Sequence, residues 1–270
     1  MNALRVAVFG VTGRMGHCLV RAIAESPEFR LVGALAAPGV PELGRDAGEA
    51  VGLGRRFDVP VVADRSAAVA GAEVVVDFTL AAAMPANLEA CVAHGCGLVL
   101  GTTGLEPPHH AALDAAAARI PLIQAANTSL GVNLLAKLVR QAAAALPPGY
   151  DIEIVEAHHR HKVDAPSGTA LKLGESAAAG RGGTLAELSA GVRGREPGAR
   201  AEGGIGFAVV RGGDIVGDHT VIYAGPGERI ELAHRAHDRM TFAWGALRAA
   251  RWLAGRKPGR YTMDNVLGLA

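Results

Sequence analysis

Leu4 to Phe9, a short β-favouring run, leads directly into Gly10-Val11-Thr12-Gly13-Arg14-Met15-Gly16 and then into an apolar-periodic stretch from Leu19 through Ala24. Strand, glycine turn and helix in that order restrict the fold more than any other part of the chain. In a dinucleotide-binding unit the glycines permit a tight turn, close approach of backbone to a pyrophosphate, and packing of helix on strand. The spacing is GxxGxxG rather than the commoner GxGxxG, so a merely structural turn in a Gly-rich chain is the competing reading. The strand-turn-helix context favours the cofactor loop.

The alternation continues downstream. Phe29–Leu35 reads as a second strand, at whose end an acidic residue normally holds the adenosine ribose hydroxyls. Ala36, Ala37 and Pro38 stand there instead. Neither the carboxylate expected for NAD nor an adjacent Arg expected for NADP is present. Arg14 is the nearest cation candidate, with a solvated first-turn charge as its plain alternative. The cofactor therefore stays open between NADH and NADPH. The Pro/Gly-rich segment Gly39 to Arg56 has little periodicity and reads as a surface loop. Val74–Thr79 is a strand, Asn87 to His94 a helix, and Gly97–Leu100 and Ile120–Gln124 are further strands. Their carboxyl ends carry Asp77-Phe78-Thr79, Gly101-Thr102-Thr103-Gly104 and Ala125-Ala126-Asn127, small or hydroxyl residues that together could line one face of a nicotinamide. Strands alternating with helices predict an α/β fold with a Rossmann-like, doubly wound parallel sheet.

The second half changes character. Ser129 can cap a helix running toward Ala145, which Pro147-Pro148-Gly149 ends. Asp151 to His158 alternates with period two, so Ile152, Ile154, Glu156 and His158 share a sheet face and His158 sits at a strand end. Residues Gly180 to Gly204 are Gly/Arg-rich and weakly periodic. Ile205–Arg211, Ile215–Ala224 and Glu228–Arg235 read as strands joined by Gly212-Gly213 and Pro226-Gly227 turns, which suggests a mostly antiparallel α+β second domain. The last helix, Arg239 to Ala254, could return to cover the first sheet. The expected organisation is a dinucleotide-binding domain over 1–126, a substrate-binding and oligomerisation domain over 127–236, and a C-terminal segment over 237–270 that returns to the first.

Composition narrows the partners. Lys plus Arg, 27, nearly equals Asp plus Glu, 26, and aromatic residues are 4% of the chain, so neither a nucleic-acid footprint nor a stacking platform is suggested. Cys18, Cys91 and Cys96 lack CxxC spacing and fit idle thiols in a reducing compartment. No apolar run is long enough to span a membrane, and the expectation is a cytoplasmic protein.

The chemistry concentrates between Glu156 and Thr169, where three imidazoles, His158, His159 and His161, stand with Arg160 and Lys162 ahead of Ser167-Gly168-Thr169 and an apolar-periodic segment. Histidine exchanges a proton near neutrality, while Lys and Arg bind anions as fixed charges. Free backbone N–H groups at a helix start make a second anion pocket. The stretch reads as two anion sites and one proton donor. A metal site is the rival, but Arg160 and Lys162 interleaved with the would-be ligands repel a dication, so no metal is expected. A solvated structural loop is the other alternative. His219, His234 and His237 read as structural or interface residues and His109-His110 as an exposed helix start; His161 receives no role.

These motifs resemble the 4-hydroxy-tetrahydrodipicolinate reductase (dihydrodipicolinate reductase) family of bacterial diaminopimelate and lysine biosynthesis. The resemblance spans nearly the whole chain and rests on GVTGRMG at Gly10–Gly16, DFT at Asp77–Thr79, GTTG at Gly101–Gly104, AANTSLGVN at Ala125–Asn133, EAHHRHKVDAPSGTA at Glu156–Ala170 and GFAVVRGGDIVGDHTV at Gly206–Val221. It implies a Rossmann domain interrupted by a tetramer-forming substrate domain, with NADH or NADPH reducing a cyclic dicarboxylate through its dehydrated, conjugated imine. By resemblance, His158 is the proton donor and Lys162 the cation that binds substrate and assists its polarisation. His159, Gly168 and Thr169 bind substrate, the last two through a carboxylate-binding loop. Gly10, Gly13, Arg14, Met15 and Gly16 hold the pyrophosphate, and Gly101, Thr103, Ala125 and Asn127 lie in segments facing the nicotinamide. The departure is at Ala36 and Ala37, where many members carry an acidic residue and a neighbouring Arg. Outside this family, a non-catalytic dinucleotide-binding sensor and a reductase of another small oxo or imino acid are the alternatives.

Overall fold

The computed structural model describes residues 2–192, 200 and 202–269. The chain forms two compact units: residues up to Leu130 together with those from Arg239 onward, and residues Gly131–Asp238.

The first unit is built from β1 (Leu4–Phe9), α1 (Arg14–Glu25), β2 (Phe29–Leu35), α2 (Ala47–Ala50), β3 (Val61–Val62), α3 (Arg65–Val69), β4 (Val74–Asp77), α4 (Met84–His94), β5 (Gly97–Leu100), α5 (Pro107–Ala117) and β6 (Pro121–Gln124). The chain then passes through α6 (Leu130–Ala145) and the second unit's β7 (Asp151–His158), α7 (Gly168–Gly180), α8 (Leu185–Leu188), β8 (Ser189–Val192), β9 (Ile205–Arg211), β10 (Gly217–Gly225) and β11 (Glu228–Ala236). It returns to the first unit with α9 (Met240–Leu253), β12 (Gly259–Tyr261) and α10 (Met263–Leu267).

Seven parallel strands in the order β12-β6-β5-β4-β1-β2-β3 make the first sheet. From β1 the chain winds outward to β3, then crosses back to β4 on the other side of β1. The crevice for a ligand in such a sheet lies past the carboxyl ends of the strands at that reversal. The strand side chains alternate between two cores, which is why the strands are apolar throughout rather than alternating. Val6, Val8, Val74 and Val76 face α1 and α9, packing with Leu19, Ile23, Leu247 and Leu253. Ala7, Phe9, Val75 and Leu98 face α4 and α5, packing with Met84, Leu88 and Leu113. Cys91 and Cys96 are buried in this second core as free thiols.

The segment from Gly39 to Arg56 is not simply a surface loop. Asp46 is buried and its carboxylate accepts hydrogen bonds from Gly48 N at 2.9 Å, Phe57 N at 3.1 Å and Val59 N at 3.2 Å, capping the short α2. A fold organised by one carboxylate on backbone amides leaves no hydrophobic period to read.

The second unit holds a five-stranded sheet in the order β11-β10-β7-β9-β8. It is mixed rather than mostly antiparallel: β10 pairs antiparallel with β11 and β7, whereas β9 pairs parallel with β7 and β8. The Gly212-Gly213 turn joins strands that are not neighbours, because β7 lies between β9 and β10. Within the Gly/Arg-rich stretch, Thr184 and Glu187 form a reciprocal cap on α8, which leads into β8. Residues 193–199 and 201 lie outside the described residues. One face of the sheet carries Ile152, Ile154, Phe207, Val221 and Tyr223 against α6 and α7, giving this unit its own core with Leu135, Val139 and Leu173. Among the described residues no helix is long and apolar enough to cross a membrane.

Candidate active site

β7 alternates strictly between half-buried and buried residues, and Ile152, Ile154, Glu156 and His158 form its buried face. The first two join the core, so the last two carry polar groups into the same low-dielectric layer. A buried carboxylate is costly unless it is paired and hydrogen-bonded. Glu156 is fully buried and fully engaged. Arg211 Nη1 donates to its Oε2 and Arg211 Nη2 to its Oε1, both at 2.7 Å, in a two-pronged ion pair. Ser167 N donates to Oε1 at 3.0 Å, and His158 Nδ1 lies 2.6 Å from Oε2.

Strand register assembles these groups. The parallel pairing of β7 with β9 sets Arg211 beside His158, and the antiparallel pairing with β10 sets His219 beside Glu156. The crossover between β9 and β10 then pins the segment after β7. Gly212 N donates to His158 O at 3.0 Å, His159 N to Ile215 O at 2.7 Å, and Arg160 N to Gly213 O at 3.2 Å. The last ring of the cluster, His219, is buried, stands edge-on to His158 with centroids 5.1 Å apart, and shares a 3.1 Å hydrogen bond with Ser167 Oγ. Ser167 caps α7 by accepting from Ala170 N, so Gly168 and Thr169 stand in the first turn of that helix, a position suited to an anion.

Electrostatics follow from the packing. Burial alone would raise the Glu156 carboxyl, but hydrogen bonds from Arg211, His158 and Ser167 hold it below the usual carboxylate range, so it is ionised. An ionised carboxylate only accepts, so the His158 proton toward it sits on Nδ1 and Nε2 is the nitrogen left for proton exchange. Burial lowers the His158 pKa; Glu156 opposes this, and the charges of Lys162 and Arg211 push it further down. Burial, reinforced by His158, takes His219 down to about 4. A Cβ built on Gly217 would lie 3.0 Å from His158 Nε2, so glycine is the residue that leaves this nitrogen uncrowded.

Lys162 Nζ is paired with Asp164 Oδ1 at 2.8 Å, and Asp164 is mostly exposed. Such a pair contributes only about 0–1 kcal/mol, so the ammonium can exchange Asp164 for another carboxylate. His159 is half-buried, with its ring 6.3 Å from that of the exposed His161. The second unit thus gathers His158, His159, Lys162, Gly168 and Thr169 around one end of β7, and adds Glu156, Arg211 and His219, which the sequence reading left without chemistry. The available signal was the register of Glu156 on the face of His158: an inward carboxylate requires a cation.

In the first unit, Gly10 adopts φ +79°, the left-handed region that favours glycine, and Gly10 N and Val11 N both donate to Leu35 O at 2.9 Å. Gly13 precedes α1 without a side-chain cap, leaving the helix start of Arg14, Met15 and Gly16 open to an anion. A Cβ on Gly16 would fall 2.3 Å from Gly10 O, so this glycine lets the helix pack on the turn. A cavity of about 380 Å³ runs past Gly10, Thr12 and Gly13 to Ala36–Pro38, Arg65, Phe78 and Thr79. Backbone cradle, uncapped helix start and cavity at the sheet reversal fit a dinucleotide. Arg14, the cation nearest in sequence, is exposed and is not among the residues lining this cavity. Gly101 is buried and a Cβ there would strike the Phe78 ring at 2.3 Å. Thr103 is exposed, Ala125 N donates to Leu100 O at 2.9 Å, and Asn127 Oδ1 accepts from Ser129 N at 2.9 Å. All four follow β5 or β6, at the carboxyl edge of the sheet.

Comparison with known proteins covers both units. Residues 4–128 match the family model described as dihydrodipicolinate reductase, N-terminus, and residues 131–267 that described as dihydrodipicolinate reductase, C-terminus. A 4-hydroxy-tetrahydrodipicolinate reductase from Alkalilimnicola ehrlichii is 54% identical over 265 residues, covering 98% of this chain and 99% of the relative. One from Thiobacillus denitrificans is 53% identical over 269 residues, covering 99% of each. Among solved structures, a dipicolinate-bound dihydrodipicolinate reductase from Paenisporosarcina sp. TG-14 superposes with a TM-score of 0.76 at 23% identity, covering 96% of this chain and 97% of that one, a likeness of fold.

Proposed function

The chain belongs to the dihydrodipicolinate reductase family, and on that footing we propose that it reduces 4-hydroxy-tetrahydrodipicolinate, through the dehydrated cyclic imine, to tetrahydrodipicolinate, with His158 as proton donor. The observation that carries this reading is the buried Glu156–His158 pair flanked by Lys162, Arg211 and the first turn of α7. When bound, a reduced nicotinamide supplies hydride. The first unit's residues hold the dinucleotide: the Gly10–Gly16 turn takes the pyrophosphate, and Gly101, Thr103, Ala125 and Asn127 line the nicotinamide end.

The second unit's residues bind and protonate the substrate. Lys162 leaves Asp164 for a substrate carboxylate, and His159 with the Gly168 and Thr169 amides takes the remaining anionic groups. In the free protein, burial and the neighbouring cations keep His158 below its ordinary pKa and hence mostly neutral near pH 7. A dianion between these cations reverses the balance, because a nearby negative charge favours the imidazolium. His158 thus acquires its proton when substrate arrives. His158 Nε2 would deliver the proton that neutralises the electron pair left on the reduced imine; Glu156 steadies the ring and its charge, as a carboxylate behind a catalytic histidine does.

On the family resemblance the enzyme is a homotetramer of the cytoplasm, and Val210, an apolar side chain exposed on the sheet face away from α6 and α7, supports association through that face. Turnover of the cyclic imine, assayed with NADH and with NADPH, tests the function. Reduction by either supports it, and binding of dinucleotide without reduction of the imine would sink it.

A further inference from the structure

At the far end of the first unit's cavity the residue that usually selects between dinucleotides is missing, and another stands in its place. β2 and β3 pair in parallel with Leu35 against Val62, and Ala36 N donates to Val62 O at 2.9 Å. That register brings the segment after β3 alongside Ala36, Ala37 and Pro38, where a carboxylate would hold the ribose hydroxyls of NAD. Arg65, three residues beyond Val62, opens α3 and lines the same cavity. It is the one charged residue among those that line it.

The guanidinium is fixed in place. Arg65 Nε donates to Asn87 Oδ1 at 2.8 Å, while Asn87 Nδ2 donates to Asp77 Oδ2 and to Thr79 Oγ1, each at 2.9 Å. Both ends of the Asn87 amide are thus engaged, and its carbonyl is committed to Arg65. The two nearby carboxylates are occupied elsewhere. Asp77 is buried and accepts from Thr79 N and Asn87, and Asp64 caps α3 through Ala67 N at 2.7 Å. The terminal nitrogens of Arg65 carry no protein hydrogen bond among the described residues. A fixed guanidinium with free terminal donors, facing a cavity with no carboxylate lining it, suits a phosphate rather than a neutral diol.

We propose that Arg65 binds the ribose 2′-phosphate and makes NADPH the preferred cofactor. The proposal rests on the reading of this cavity as the adenosine end of the dinucleotide site. Dissociation constants for NADPH and NADH, measured by calorimetry on the unmodified protein and on Arg65→Ala, separate the two. NADPH is to bind at least about tenfold more tightly than NADH in the unmodified protein. In Arg65→Ala the NADPH constant rises to meet that of NADH, which changes by less than about threefold, and Arg65→Lys falls between. High salt narrows the preference in the unmodified protein, as expected for a partly exposed ion pair. Binding of 2′,5′-ADP against 5′-ADP to the unmodified protein gives the same contrast without any substitution. Equal affinity for the two members of each pair, or an Arg65→Ala variant that weakens NADH as much as NADPH, overturns the proposal. Failure of both dinucleotides to bind overturns the cofactor reading beneath it.

Discussion

His158 Nδ1 lies 2.6 Å from Glu156 Oε2, two residues back on the same buried face of β7. The contact fixes which ring nitrogen faces the substrate and offsets part of the burial that disfavours the imidazolium. Glu156→Gln keeps the shape, leaves Arg211 one acceptor and removes the charge. The expected result is a fall in kcat on the order of 10²-fold with a small change in KM, and an alkaline limb of the pH-rate profile shifted to lower pH. An unshifted profile with normal kcat would show the pair to be only structural.

Gly217 makes a steric prediction. A methyl group at this position would sit 3.0 Å from His158 Nε2, inside ordinary contact distance. Gly217→Ala should turn or displace the ring and lower kcat by about tenfold or more, because sub-ångström misplacement of a reacting group is costly. Steady-state kinetics and a dinucleotide titration check it together, since cofactor binding should be unaffected.

Lys162 supplies charge where the substrate is anionic. Lys162→Ala should leave the protein folded and reduce kcat together with kcat/KM, on the order of 10²-fold, as expected for a contact that strengthens in the transition state. Near-normal turnover in that variant would remove Lys162 from the chemistry.

His219 gives stability a pH dependence. Its pKa falls from 6.5 in the unfolded chain to about 4 in the fold, chiefly through burial. Between those values the unfolded chain binds the proton first, so stability is complete above pH 6.5 and drains away as pH falls toward 4. The loss is on the order of 3 kcal/mol. Denaturant midpoints should therefore fall with pH over this window in the wild type and less steeply in His219→Asn. The slope survives in part, because burial also lowers His158 and His234. Parallel slopes would contradict the assignment.

How much of this was legible in the sequence depends on how local the cause is. The strand-turn-helix at Leu4–Glu25 and the alternation along β7 are set by neighbours in the chain, and the elements fall where the pattern puts them. Arg211 reaches Glu156 across 55 residues, and His219 reaches Ser167 across 52. Those meetings depend on β7 lying between β9 and β10, an order that no local period encodes and that the expectation of a mostly antiparallel domain obscured. Arg65 was hidden for a related reason: it follows a two-residue strand and opens a five-residue helix, both too short to show a pattern. The absence of a carboxylate at Ala36 was plain, while the residue placed beside it was not.

His158 carries the proton, while the dinucleotide is held by other residues. Kinetics and dinucleotide binding measured on one preparation of His158→Gln separate the two roles. The prediction is a fall in kcat of about 10²–10⁴-fold with the NAD(P)H dissociation constant unchanged within about threefold. A variant that binds NAD(P)H poorly yet still turns over would contradict it.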